Sequence, residues 1–111
     1  MKEIKSYEEL TQKINGEDLF LLYATMPYCP VCHSDLPKII KLAAESKIDL
    51  YKINLYEVPK AQGQLSLMSA PCVIIFFKGR EWHRQARIIN FKILKSKITK
   101  LKDNINSSSY L

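Results

Sequence analysis

The apolar positions of this chain follow two spacings, one typical of strands and the other typical of helices. Apolar or alternating runs predict four strands, which cover residues 19–24, 48–53, 73–77 and 82–89. A minor strand is expected over residues 2–5. The run at 19–24 is apolar throughout, which predicts a strand buried at the centre of a parallel or mixed sheet. Gly79 predicts the turn of a hairpin between the last two strands.

Helical spacing predicts four helices between and after these strands. The first begins with the capping-box pattern of Ser6, and the short third covers residues 57–65. The second runs to about residue 46 and contains Pro37, where we expect a kink. Its apolar spacing is formed by Leu36, Ile40, Ala43 and Ala44. Asn90 is the expected N-cap of the last helix, whose apolar stripe is Phe91, Leu94, Ile98, Leu101 and Ile105.

The order of these elements predicts an α/β layer sandwich. The chain has 111 residues, which suits one domain. We place the domain at residues 1–105 and a flexible tail at residues 106–111. The composition is 47% hydrophobic and 25% charged, so the chain has the make-up of a folded globular protein and wholesale disorder is excluded.

The positive charge is concentrated near the C-terminus. Residues 78–111 carry nine Lys and Arg against two Asp and Glu, whereas residues 1–77 carry eight against nine. A basic face of this kind can steer acidic partners, although a solvated helix face has the same pattern. Apart from Trp82, the aromatic residues do not interleave with basic ones, so we expect no nucleic-acid binding.

The N-terminal residues and the cysteine count bear on the compartment. Residues 1–6 lack the apolar segment of a signal peptide, and no apolar run approaches the length of a membrane span. We therefore expect a cytoplasmic protein that does not associate with membranes. In a reducing compartment, three cysteines argue against a disulfide framework and favour catalysis, metal binding or burial.

The most informative motif is Cys29-Pro30-Val31-Cys32, which follows the predicted strand at 19–24 and opens the second helix. The spacing places Cys29 at the N-cap and Cys32 one turn into the helix. Backbone N–H groups and the positive end of the helix dipole stabilise a thiolate at the N-cap. Pro30 then falls at the first helical position, where proline is tolerated. This arrangement is typical of a redox-active dithiol.

The same residues fit two kinds of metal site less well. His33 completes a Cys-x-x-Cys-His pattern of haem attachment, but that reaction takes place outside the cytoplasm. Cys29, Cys32, His33 and Cys72 offer zinc ligands, yet a second Cys-x-x-Cys or His pair is missing. We therefore expect no metal site. We interpret Cys72 as a small buried hydrophobic residue, and the alternative is a third redox or metal-binding thiol.

Four features, in this order, resemble thioredoxin. The Cys-x-x-Cys pair follows a core strand and opens a helix, and Pro37 lies where the family kinks that helix. Residues 52–56 resemble the family's Lys-hydrophobic-Asn-hydrophobic-Asp segment, and Ala70-Pro71 precedes an apolar strand as the family's cis-proline does. The resemblance covers roughly residues 2–105. It implies a thioredoxin-like three-layer sandwich, with a central mixed β-sheet flanked by helices.

The resemblance also implies a function, the reduction of protein disulfides by thiol–disulfide exchange. Cys29 would attack a partner's disulfide to form a mixed disulfide, and Cys32 would resolve it. Pro71 would be cis, and the backbone of Ala70 would pair with an extended substrate segment. The expected substrate groove is formed by Tyr28, Pro30, Val31, Ala70 and Pro71.

The resemblance implies an electron donor as well, either a thioredoxin reductase or a low-molecular-weight thiol. No bound cofactor is expected, because the redox equivalents are carried by a disulfide between Cys29 and Cys32. We expect the protein to act as a monomer.

The chain departs from the family at positions that affect the chemistry. The family has Trp-Cys-Gly-Pro-Cys, whereas this chain has Tyr28-Cys-Pro-Val-Cys32, and proline after the first cysteine is the pattern of glutaredoxins and bacterial disulfide oxidases. The family's buried acid, which accepts the proton of the resolving thiol, is replaced by Tyr23, a poor base at neutral pH. The lysine neighbour of that acid is retained as Lys52.

Two expectations follow from these departures. Tyr23 and Lys52 become the candidates for proton transfer, and we expect them to be hydrogen-bonded to each other and resolution to be slower than in thioredoxin. The alternative function is a thioredoxin-like module that binds a partner, with weak or regulatory redox activity. The lost acid, the family tryptophan replaced by Thr25 and the basic last third favour that alternative.

Overall fold

The computed structural model describes residues 1–16 and 18–108. Its elements are β1 (Lys2–Ile4), α1 (Tyr7–Asn15), β2 (Phe20–Thr25), α2 (Pro30–Ser46), β3 (Asp49–Asn54), α3 (Pro59–Gln64), β4 (Cys72–Phe77), β5 (Arg80–Ala86) and α4 (Phe91–Ser108). This order confirms the predicted α/β sandwich. None of the helices in the described ranges combines the length and the apolar character needed to cross a bilayer.

The five strands form one mixed sheet in the order β1-β3-β2-β4-β5. The central strand β2 pairs in parallel with β3 and antiparallel with β4. All six residues of β2 are buried, because helices cover the sheet on both faces. The continuously apolar run therefore marked the centre of the sheet correctly.

Alternation along β2 divides the core into two halves. Phe20, Leu22 and Ala24 face one half, which α1 and α3 cover. Leu21 and Tyr23 face the other half, which α2 and α4 cover. Tyr23 is thereby directed toward the helix that begins at the cysteine pair.

The predicted helix starts are confirmed by their caps. The Glu9 N–H donates to Ser6 Oγ at 3.1 Å, and the Ile93 N–H donates to Asn90 Oδ1 at 2.9 Å. Each side chain satisfies a backbone donor that has no partner within the helix.

Three predicted details were wrong. Strand β5 ends at Ala86 rather than at residue 89, because Arg87 adopts a left-handed conformation with a φ of 69°. Helix α4 continues to Ser108, three residues beyond the expected end of the domain at residue 105; residues 109–111 of the expected tail lie outside the described residues. On α2, Ile40 and Ala44 are exposed, and the buried positions follow the spacing set by Cys32: Asp35, Ile39, Leu42 and Ala43.

Candidate active site

The turn between β2 and α2 places the cysteine pair at the end of the central strand. Cys29 is the N-cap of α2, and Pro30 occupies the first turn. The Cys29 Sγ accepts a hydrogen bond from the backbone N–H of Cys32 at 3.2 Å. The two cysteines form a disulfide, with their Cα atoms 5.3 Å apart. The sulfur of Cys29 therefore lies where backbone donors and the helix dipole favour a negative charge.

The two cysteines differ in their access to solvent. Cys32 is only 2% exposed, whereas Cys29 is partly exposed. Tyr28, immediately before the pair, is 98% exposed, and Pro30 and Val31 are exposed as well. Because a partner's disulfide must reach the attacking sulfur, Cys29 is the accessible member of the pair and Cys32 is the shielded one.

The Ala70–Pro71 segment lies at the same edge of the sheet. Strand β4 runs antiparallel to β2, and Cys72 at its start is paired with Ala24 near the end of β2. The Ala70–Pro71 peptide bond is cis, as the resemblance implied. The Pro71 carbonyl accepts a hydrogen bond from the Arg87 N–H at 2.8 Å, which ties this segment to the end of β5.

Two exposed apolar residues that the sequence analysis did not single out flank this segment. Met68 lies two residues before Ala70, and Ile88 follows the residue that is bonded to Pro71. Exposed apolar side chains that form a contiguous patch mark an interaction surface. The sequence predicted a strand that included Ile88, so the exposure of this residue was not expected.

Tyr23 is fully buried beneath α2, and its hydroxyl donates to the backbone carbonyl of Cys32 at 2.9 Å. Burial, reinforced by the negative charge of Asp35, raises the pKa of Tyr23 to about 12. The phenol therefore stays protonated at neutral pH and acts as a donor. The predicted hydrogen bond between Tyr23 and Lys52 was wrong, because the Tyr23 hydroxyl donates to the backbone carbonyl of Cys32 instead.

Lys52 lies beside Tyr23 in the β2–β3 register. It lines a cleft of about 70 Å³ that also borders Thr25, Cys32, His33 and Leu36. An ammonium group offers three donors and no acceptor. Lys52 therefore contributes positive charge near the buried cysteine but is not itself placed to accept a proton.

Asp35 is the residue of this site that the sequence analysis missed. It lies three residues after Cys32 on the same side of α2, and it is 8% exposed. After burial, its negative charge is the second cause of the raised pKa of Tyr23. Helical spacing could have revealed it, because residues 32, 35 and 39 lie on the same face of a helix and that face is buried.

Cys72 is 1% exposed and faces the core half that α1 and α3 cover, opposite to Tyr23. Burial raises the pKa of its thiol. These features agree with the interpretation of Cys72 as a small buried hydrophobic residue. Across residues 1–16 and 18–108, no group of three His, Cys, Asp or Glu side chains is placed to hold a metal ion.

A cysteine pair at a strand-to-helix turn, beside a cis-proline in a mixed α/β sandwich, defines a thiol–disulfide protein with the thioredoxin fold. The Thioredoxin family model matches residues 2–104. The chain belongs to the thioredoxin family.

Individual relatives show the same likeness. The chain is 29% identical over 102 residues to the thioredoxin-like protein YdfQ of Bacillus subtilis, covering 91% of each chain. Thioredoxin 1 of Thermosipho africanus is 30% identical, with a TM-score of 0.71 over 78% of this chain and 97% of that one. Thioredoxin of Trypanosoma brucei brucei has a TM-score of 0.81 at 17% identity, over 91% of this chain and 89% of that one.

Proposed function

We propose that the protein is a thiol–disulfide oxidoreductase that reduces protein disulfides through Cys29 and Cys32. Membership of the thioredoxin family and a cysteine pair in disulfide contact support thiol–disulfide exchange in general. The observation that carries the finer proposal is the difference in exposure within the pair. An accessible sulfur at a helix N-terminus and a shielded sulfur one turn away suit the roles of attacking and resolving thiol.

The exchange proceeds in two steps. The Cys29 thiolate, which the Cys32 N–H and the helix dipole stabilise, attacks one sulfur of the substrate disulfide. The other substrate sulfur leaves as a thiolate, and a mixed disulfide remains. Cys32 then loses its proton and attacks the Cys29 sulfur, which releases the second substrate thiolate and forms the Cys29–Cys32 disulfide. Two electrons have passed to the substrate.

The substrate surface in this proposal surrounds Cys29. Tyr28, Pro30 and Val31 provide exposed contacts on one side, and the backbone of Ala70 before the cis-proline pairs with an extended substrate segment on the other. The exposed side chains of Met68 and Ile88 enlarge this surface. Main-chain pairing would give affinity that is independent of the substrate sequence, with apolar contacts adding preference.

The reduced pair must be regenerated after each cycle. We propose a thioredoxin reductase or a low-molecular-weight thiol as the electron donor, with no bound cofactor. The protein would act as a monomer in the cytoplasm, where the thiol pool returns the pair to its reduced form.

To test this proposal, the protein is equilibrated in defined glutathione buffers, free thiols are alkylated, and the modified cysteines are counted by mass spectrometry. We expect a Cys29–Cys32 disulfide with a potential below about −220 mV, as suits a cytoplasmic reductase. Insulin reduction should be lost in Cys29→Ser and Cys32→Ser and kept in the control Cys72→Ser. A pair that forms no disulfide at any glutathione ratio would overturn the proposal. Partner complexes that survive both serine variants would instead indicate a binding module.

A further inference from the structure

Asp35 is a buried carboxylate without a strong partner. It is 8% exposed, and no hydrogen bond reaches its carboxylate from the residues that the structure describes. Its ion pair is with Lys38, whose Nζ lies 4.0 Å away on a side chain that is 64% exposed. Burying an ionised carboxylate is costly unless it is paired or hydrogen-bonded. A carboxylate that lies on the buried helix face beside a reactive cysteine is a candidate general base.

Asp35 lies close to the cysteine pair. Cys32 lies three residues earlier on the same buried face of α2, a separation that brings Cβ atoms to about 5–6 Å of each other. Tyr23 lies beneath both residues, bonded to the Cys32 carbonyl and within the field of the Asp35 charge. Cys32 and Asp35 therefore share the buried face of α2, and Tyr23 of β2 is hydrogen-bonded to the first turn of that helix.

The resolving step needs a proton acceptor at this position. Cys32 must lose its proton before it can attack, and it is shielded from solvent. Tyr23 is a protonated donor, and the Lys52 ammonium, which faces Cys32 from β3 through the cleft, has no free acceptor.

The other elements on this face supply no further candidate. Strand β4 presents apolar side chains, as does the start of α4: Val73, Ile75, Ile89 and Leu94. On α2 itself, Lys38 is a cation. His33 borders the same cleft as Cys32, but its side chain is exposed to solvent. Among the described residues, Asp35 is the buried carboxylate, and it lies three residues from Cys32 on the same face of α2.

We propose that Asp35 accepts the proton of Cys32 during resolution. Tyr23, which replaces the family's acid, cannot do so because it stays protonated. This inference rests on the proposed function. The Cys32 Sγ–H bond breaks, and its proton passes to a carboxylate oxygen of Asp35. The sulfur electron pair forms the bond to Cys29 Sγ, and the substrate sulfur leaves as a thiolate. The substrate disulfide is the oxidant, and Asp35 afterwards returns the proton to water at its exposed edge.

The test is stopped-flow reaction of the reduced protein with equimolar 5,5′-dithiobis(2-nitrobenzoate). Attack by Cys29 releases one thionitrobenzoate, and resolution by Cys32 releases the second, so the two steps are observed separately. In Asp35→Asn we expect an unchanged first phase and a second phase slowed about tenfold or more at pH 7. The difference in second-phase rate between Asp35→Asn and the wild type should become smaller toward pH 9, where hydroxide removes the Cys32 proton. Asp35→Glu should restore part of the rate.

The matched control is Asp49→Asn, which neutralises an exposed aspartate at the start of β3 and should leave both phases unchanged. A second phase in Asp35→Asn as fast as in the wild type, or faster, would overturn the proposal. Slowing by the same factor at pH 7 and pH 9 would also overturn it, since it would show a structural role.

Two further outcomes keep the test decisive. If circular dichroism shows that Asp35→Asn does not fold, Asp35→Glu decides: a folded glutamate variant whose second phase is slowed by the same factor at pH 7 and pH 9 would contradict proton transfer. Absence of the first phase in the wild type would overturn the proposed function itself, which is a different result from a change confined to the second phase.

Discussion

The hydroxyl of Tyr23 donates a hydrogen bond to the backbone carbonyl of Cys32 at 2.9 Å. This contact joins the central strand of the sheet to the first turn of the helix that carries the cysteine pair. The family places an acid at the position of Tyr23, and the phenol uses its proton to hold the helix in place instead. Proton transfer and helix positioning are thereby separated between two residues, Asp35 and Tyr23.

Removing the hydroxyl should cost stability. In Tyr23→Phe the ring still fills the core, while the hydrogen bond to Cys32 is lost, and we expect the free energy of unfolding to fall by about 0.5–1.5 kcal/mol. Urea unfolding measures this value. Tyr56→Phe is the control, because Tyr56 is exposed, and it should change stability by less than about 0.5 kcal/mol. Equal stability of Tyr23→Phe and the wild type would contradict the structural role of the bond.

Stability should also fall at high pH. The pKa of Tyr23 is raised from 10.0 to about 12 in the folded protein, so the folded state holds this proton more tightly than the unfolded chain. Because burial disfavours the ionised phenol, the free energy of unfolding should fall by about 2–3 kcal/mol as the pH rises from 10 to about 12. Unfolding measured from pH 8 to 12 in the wild type and in Tyr23→Phe isolates this contribution. Parallel pH dependences in the two proteins would show that Tyr23 does not cause it.

Cys72 should resist alkylation in the folded, reduced protein. It is 1% exposed and burial raises the pKa of its thiol, so both access and thiolate population are low. Timed labelling with iodoacetamide and peptide mass spectrometry should show Cys29 modified first, and Cys72 modified only after denaturation. If Cys72 were labelled as fast as Cys29, the alternative of a third reactive thiol would be favoured.

Arg84 should support the substrate surface from a distance. Its guanidinium donates to the carbonyls of Leu65 and Ser66 at 2.7 and 3.0 Å, and to Glu81, which ties β5 to the segment that leads to the cis-proline. In Arg84→Ala we expect a loss of about 1–3 kcal/mol in stability and a higher KM for a protein disulfide.

The control for Arg84 is Arg80→Ala, which removes an exposed arginine from the same strand. It should leave the KM unchanged. A normal KM in a destabilised Arg84→Ala variant would show that the contact holds the loop without shaping the substrate surface.

Much of the site is formed by interactions between residues close in sequence, so the sequence predicted it. Caps act within three residues, which is why Ser6, Asn90 and the position of Cys29 at the helix start were predicted correctly. Segment ends were less predictable, because the left-handed turn at Arg87 that ends β5 has no strong local signal.

The sequence alone determined the order of the elements, the buried central strand and the helix start at the cysteine pair, since each follows from local spacing and backbone hydrogen bonding. Only the tertiary structure decided which distant groups meet. The antiparallel register of β4 on β2 brings Ala70–Pro71 beside the disulfide, and the rotation of α2 on the sheet buries Asp35 over Tyr23. Such contacts depend on how whole helices and strands pack, and side-chain packing between distant segments has no local signature in the chain.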